Sequence, residues 1–421
     1  MNTENKPAPS NIVSIIGLVL VILLGAFLRL YHLGATSIGN EYYASAVKSM
    51  LTSWHNFFFV SFEPGGSISL DKPPLGFWLE SLSAYFLGVN GFALAFPNAL
   101  AGILSIPLLY SMVKKQFGVL AGLSAALVLA TTPITIATER NNTIDGMLIF
   151  TLLSATWAVW RSVESGKFRY VLLGALLVGL GFNIKMLQAY MILPALYALY
   201  FLGAKHGWWK RIVHLSIATF LMLIVSLSWA LIVDSVPATS RPFIGSSSNH
   251  SMMELIVGHN GADRFAASQS NQANLPNTQN EVGPAGIFRL FTEPLASQIS
   301  WLLPLTLMGW VLGLVFIGFS QPLDNKHLAL ILWISWLLPM SLYFMFSNGV
   351  WHTYYLIMLG PALAALVGVA MWVLDQSRQK SHTLGWILGF IFSGITIGFE
   401  IFILSFYPAY FYSTSLLMGF L

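Results

Sequence analysis

Eleven separate runs of mostly apolar residues, each near the length of a membrane-crossing helix, limit what this chain can fold into. They lie near 12–30, 92–113, 118–138, 145–160, 170–184, 187–203, 212–233, 298–319, 328–347, 354–374 and 384–406, and a helix needs about 20 such residues to cross hydrocarbon. Only 9% of the 421 residues are charged, 56% are hydrophobic and the mean hydropathy is +0.72. A soluble chain carries about 25% charged residues, so this one lacks the surface for a water-exposed body. A soluble enzyme, a disordered protein and a nucleic-acid binder are excluded. The first run is long and no small-residue cleavage site follows it, so it reads as an anchor rather than a signal peptide. There is no cysteine, which removes disulfides, thiolate metal sites and cysteine nucleophiles. The expected fold is all-α: a polytopic integral membrane protein, one domain over 1–421, with about eleven transmembrane helices.

Segment 73–90 is apolar but short and carries Glu80. Orientation decides how it is read, because Lys and Arg collect on cytoplasmic loops. If 73–90 lies flat at the interface, Lys6, Lys114, Lys115, Arg161, Lys167, Arg169, Lys205, Lys210, Arg211, Lys326, Arg378 and Lys380 all fall inside, in very short turns. If it spans, several of these turns flip outward. The non-spanning reading is therefore preferred. The acids Glu41, Glu63, Asp71, Glu80, Glu139, Asp145, Asp234, Glu254, Asp263, Glu281 and Glu293 then face outward, with two long outer loops at 31–91 and 235–297. Inner turns are too short to build a site, so function is expected on the outer face of a plasma-membrane protein.

In the first outer loop, residues 41–54 suit an interfacial helix, with Tyr42, Tyr43, Trp54 and Phe57–Phe59 as aromatic anchors. Pro64-Gly65-Gly66 forces a turn, and Asp71-Lys72-Pro73-Pro74 enters the next helix. Taken alone, Asp71 reads equally as a helix cap and Lys72 as a snorkelling cation. Other outer helix ends carry the same kind of group: Glu139-Arg140 with Asp145, Asn183 with Lys185, and His352 with Tyr354 and Tyr355. Such groups at membrane depth usually mark a site, and four converging on one face favour one here. The second loop is rich in Ser, Asn and Gln around an ordered island at 252–265, read as a lid that closes over substrate or, over 266–280, as a solvated spacer. Glu400, inside the last run, is either a site residue or a snorkelling acid.

These residues resemble the polyprenol-phosphate-sugar glycosyltransferases of the GT-C type, the protein mannosyltransferase and aminoarabinose-transferase superfamily (glycosyltransferase family 39). The resemblance runs from about 11 to 374. It is strongest at SWHNFFF (53–59), Asp71–Gly76, Arg140–Asp145, Gly181–Tyr190, QISWLLP (298–304) and His352–Tyr355, and is closest to the bacterial mannosyltransferase-like branch. It implies an inverting enzyme that moves a sugar from an undecaprenyl- or dolichyl-phosphate carrier to a glycan, lipid or protein acceptor at the outer face. The chemistry needs a carboxylate to take the acceptor's proton and cations to hold the phosphate leaving group. Catalytic candidates are Glu41, Asp71 and Asp145; phosphate and carrier candidates are Lys72, Arg140, Lys185, Arg264, His352, Tyr354 and Tyr355. The resemblance adds His259 with Arg264. Asp71 and His259 together offer oxygen and nitrogen to a divalent metal, an incomplete ligand set.

One stretch departs from the family. Where it carries an Asp-Glu pair, with the Asp as expected base, this chain reads Gly39-Asn40-Glu41. Asparagine cannot act as a base, which makes Glu41 the first choice by position, ahead of Asp145 and Asp71. It also keeps open a catalytically inactive protein that binds the lipid carrier. A lipid or solute transporter would show mid-span polar residues and interrupted repeats, and neither is read here. The chain ends soon after the eleventh run, so acceptor binding is expected to be limited or supplied by a partner.

Overall fold

The computed structural model describes residues 11–35, 37–262, 281–318, 322–349, 351–408 and 411. The first helix, α1 (Asn11–Leu30), is followed by three short ones in the first long loop: α2 (Glu41–Met50), α3 (Trp54–Phe59) and α4 (Pro74–Leu87). At 14 residues α4 is about 21 Å long, too short to cross a bilayer. Pro74 opens it, where a missing amide hydrogen is harmless. Long helices then alternate in direction: α5 (Gly91–Phe117), α6 (Val119–Thr131) with its continuation α7 (Pro133–Glu139), α8 (Asp145–Ser165), α9 (Arg169–Lys185), α10 (Leu193–Gly203) and α11 (Trp208–Ser235). The second long loop holds α12 (Met252–Val257) and leads to α13 (Ala296–Ile299). The remaining helices are α14 (Leu303–Ile317), α15 (Asn325–Phe346), α16 (Gly360–Lys380) and α17 (His382–Leu404).

By length and composition, nine helical stretches among the described residues can cross a membrane, or ten with the bent pair α6–α7 taken as one span. One of the nine, Arg169–Gly203, crosses twice. Lys185 in its middle pairs with Asp145 at one end of α8, while Lys205 just past it donates to the Glu164 carbonyl at the other end of α8. α9 therefore runs one way, the 3-10 segment Met186–Ile192 turns the chain, and α10 returns. The two sequence runs 170–184 and 187–203 are thus separate passes, and the crossings agree with the eleven expected. Among the described residues the only extended pairing is two isolated bridges, Ser61 with Ser69 and Ile68 with Phe243. The second bridge ties the two long loops together.

The bend between α6 and α7 is 55°, and its cause is Pro133, which cannot supply an amide hydrogen to the helix. The carbonyls of Leu129 and Ala130 are left without helical donors. The Arg29 guanidinium of α1 donates to both and also pairs with Glu139 on α7. A fully buried arginine thereby fixes the direction in which α7 leaves the bundle, and so where the turn into α8 begins. The core sits around α16, whose membrane-length stretch is almost wholly buried, whereas α1 and α17 are peripheral.

Candidate active site

All the long loops open at one end of the bundle, and the helix ends there deliver the charged side chains. Asp145 is the first residue of α8 and Lys185 the last of α9, 40 positions apart in sequence. They form an ion pair with side chains 0% and 6% exposed. Gln188 Nε2 lies 3.5 Å from the same Asp145 oxygen; the other oxygen is buried with no hydrogen-bond partner among the described residues. The Lys185 ammonium also lies 3.9 Å from the Tyr355 ring centre and 4.8 Å from that of Tyr354, close enough for cation–π attraction.

A second pair comes from the first long loop. Lys72 Nζ is 2.8 Å from Asp71 Oδ2, and His259 Nε2 is 3.2 Å from that same oxygen. Asn260 Nδ2 donates to the Asp71 carbonyl at 3.1 Å, so the turn after α12 is seated directly on the Asp71-Lys72 turn. Burial alone would push the Asp71 carboxyl up, but the charge of Lys72 and the hydrogen bond from His259 outweigh it and hold it well below the usual carboxylate range. Asp71 is a committed anion.

Lys72 and Lys185 line one cleft of about 60 Å³, with Gln188, Asn260, Tyr343 and Tyr355. One ordered water needs about 10–15 Å³ of such space, so the cleft admits a group of phosphate size. Two ammonium groups, two tyrosines and two amides facing so small a volume make an anion site.

Sequence reasoning read Tyr42 and Tyr43 as membrane anchors, and the structure places both phenols at the site. The Tyr42 hydroxyl hydrogen-bonds the Asp71 backbone, and buried Tyr43 hydrogen-bonds Tyr354 in a surrounding that includes Asp71, Asp145 and Tyr355. Burial and these anions push both phenols above their ordinary value, so both stay protonated. Tyr43 lies on the buried face of α2 with positions 46, 47 and 50, whereas Tyr42 is 40% exposed.

The remaining candidates divide. Arg140 is not brought to the cleft: its guanidinium donates to the carbonyls of Leu28, Arg29 and Tyr31, closing the end of α1. His352 sits at the margin, 3.0 Å from Glu281 and stacked on Tyr354 with ring centres 5.2 Å apart. Glu281 also accepts from the Thr353 amide, a partnership that sequence reasoning missed. Arg264 lies outside the described residues, as does 263–280 of the second long loop.

Glu41 opens α2 with an exposed side chain. The preceding Asn40 is fully engaged. Its side chain accepts from the Tyr43 amide at 3.2 Å as helix cap, its own amide donates to Asn142 Oδ1, and its carbonyl accepts from Asn142 Nδ2 at 3.0 Å. Asn142 thus pins the start of α2 to the turn before Asp145. Gly39 has φ +84°, and a Cβ there would fall 2.3 Å from Asn142 Oδ1, so the clamp requires glycine.

As for a metal, no cluster of three His, Asp or Glu side chains suited to one occurs among the described residues. The Asp71 oxygen that faces His259 already holds the Lys72 ammonium. Among the described residues Asp71 and His259 alone do not complete the ligand set of a divalent ion.

Comparison with known proteins gives consistent results. The family model described as dolichyl-phosphate-mannose-protein mannosyltransferase matches residues 71–229. The chain is 34% identical over 470 residues to "Putative mannosyltransferase YycA" of Bacillus subtilis (strain 168), covering 93% of this chain and 68% of that protein. It is 26% identical over 380 residues to undecaprenyl phosphate-alpha-4-amino-4-deoxy-L-arabinose arabinosyl transferase 2 of Pseudomonas fluorescens (strain Pf0-1), covering 87% and 62%. The crystal structure of ArnT from Cupriavidus metallidurans bound to undecaprenyl phosphate shares the fold, with a TM-score of 0.60 at 17% identity over 97% of this chain and 70% of that one. The chain spans roughly two thirds of the length of these proteins.

Proposed function

The chain belongs to the polyprenol-phosphate-sugar glycosyltransferases of the GT-C type, the superfamily of the dolichyl-phosphate-mannose-protein mannosyltransferases, and from that premise we propose that it transfers a sugar, with inversion, from undecaprenyl phosphate to an acceptor at the outer face of the plasma membrane. The observation that carries this reading is the cleft with Lys72 on one wall and Lys185 on the other. Both cations are set to hold a phosphate as it leaves the anomeric carbon, where positive charge develops as in glycoside hydrolysis. Tyr355 lines the same wall, and Tyr43 stands behind it through Tyr354.

The base follows by elimination among the three acids. Asp145 and Asp71 are each bound to a lysine, and Asp71 is held at a low proton affinity. A carboxylate committed to a cation is a weak base. Glu41 is exposed beside the tyrosines, so we assign it the acceptor's proton. A second reading has one observation in its favour: the side chain at position 40 is an asparagine that caps α2 and cannot take a proton, which suits a protein that binds the carrier without turnover.

The test is transfer by purified protein in lipid, supplied with radiolabelled undecaprenyl-phosphate sugars. Wild type should consume a donor, and Glu41→Gln should slow consumption by about 10²–10⁴-fold, the usual contribution of a general base, with carrier binding retained. Full activity in that variant overturns the assignment. Tight carrier binding by a wild type that never consumes donor selects the second reading.

A further inference from the structure

A second cavity, of about 240 Å³, opens beside the α6–α7 bend and is four times the size of the cleft between the lysines. Its walls include Leu302, Leu363, Trp301, Thr131, Thr132 and Glu400. Glu400 comes from α17, one turn before that helix ends on the long-loop side. Its side chain is half-buried, with no hydrogen-bond partner among the described residues. An intramembrane carboxylate is costly to maintain and by default marks a function.

The chemistry of the walls decides what fits. The Trp301 indole N–H is spent on the Ser297 carbonyl at 2.6 Å. The Thr131 hydroxyl donates to the Leu127 carbonyl at 2.8 Å, and the Thr132 hydroxyl to the Val128 carbonyl at 2.6 Å. Each threonine oxygen therefore keeps only acceptor capacity. Among the described residues no lysine, arginine or histidine lines the cavity. A carboxylate, acceptor oxygens and an indole, with no donor to spare, match a cation that carries its own N–H groups. The leucine walls, beside the peripheral helix α17, match a ligand with an apolar body.

We propose that this cavity binds the primary ammonium headgroup of a membrane lipid, with Glu400 as its counter-ion and Trp301 as its aromatic wall. The site is separate from the transfer reading and stands or falls without it.

The experiment reads retained lipid. Wild-type protein is taken up in nanodiscs of equal phosphatidylethanolamine, phosphatidylglycerol and phosphatidylcholine, then stripped and examined by native mass spectrometry. Phosphatidylethanolamine should be retained over both others. Glu400→Gln should lower that retention about tenfold, in keeping with loss of one charge-assisted hydrogen bond. Thr131→Val removes an acceptor oxygen and the hydroxyl's bond to the Leu127 carbonyl at an exposed position and should lower it about two- to threefold, which keeps the test valid if the Glu400 variant folds poorly. Equal retention of the three lipids overturns the site. So does unchanged retention in both variants, or retention of phosphatidylcholine equal to phosphatidylethanolamine, since a quaternary head has no N–H to give. Displacement of the lipid by millimolar ethanolamine alone overturns the lipid half of the claim.

Discussion

The site is built from two lysine–aspartate pairs that share a chemistry and differ in construction. Asp145–Lys185 joins the ends of two long helices and is closed to solvent. Asp71–Lys72 joins sequence neighbours on a loop, keeps slight exposure and shares its carboxylate with His259 from the other long loop. The first pair is positioned by the bundle, the second by one loop resting on another. The first should therefore be a fixed wall of the cleft and the second its adjustable wall.

The largest effect expected from this difference falls on Asp145. Asp145→Asn strands a buried ammonium, and breaking a buried pair costs about 3–5 kcal/mol. Denaturation in detergent should show that loss. Adding Lys185→Met should recover most of the stability while leaving carrier binding lost, because the double variant removes the stranded charge along with the phosphate's partner. Asp71→Asn should cost less, about 1–3 kcal/mol, since Lys72 also donates to the Asp71 carbonyl. Equal losses at the two aspartates would erase the distinction between the walls.

His259→Ala sharpens the comparison. It frees the second long loop from the first without touching either lysine, so carrier affinity should fall by about tenfold or less, the worth of one hydrogen bond to a charged group. Incubation with EDTA should change nothing, because the Asp71 oxygen is held by an ammonium. A chelator effect as large as the His259 effect would show that the loops meet through a metal instead.

A third junction lies between the two pairs. Asn142→Ala removes both hydrogen bonds to the Asn40 backbone and should cost about 1–2 kcal/mol. It should also loosen the placement of α2, so KM for donor rises more than kcat falls. Gly39→Ala should mimic it by steric means. Unchanged kinetics in both would show that α2 is placed by its buried face alone.

Much of this was legible in the sequence, for a physical reason. A charged residue at the end of an apolar run is conspicuous, so Asp71, Lys72, Asp145 and Lys185 announce themselves, and run lengths fix the passes. Hydropathy does not say which way a helix end points. Arg29 and Arg140 look alike as cations at helix ends, yet one props the proline bend and the other closes α1. Tyr43 was hidden because an interfacial tyrosine and a site tyrosine have the same sequence context. Only the packing of α2 on the residues around Tyr354 separates them. Glu281 was hidden by the polar run that precedes it.

Glu281 gives the smallest effect and tests how the end of the second long loop rests, through His352, on Tyr354 beside Lys185. Burial would raise its carboxyl, but the hydrogen bonds from His352 and Thr353 outweigh it and hold the group below the usual carboxylate range. A depressed carboxyl stabilises the fold above its unfolded value, near about 4.3, and that contribution fades as pH falls through the lower folded value. Melting curves of Glu281→Gln and wild type should therefore be separated at pH 7, remain so down to about pH 4.5, and converge only below it. The gap should be small because the side chain is 37% exposed. Curves that coincide from pH 7 down to about pH 4.5 would show that the carboxylate does not hold the end of the second long loop against Tyr354.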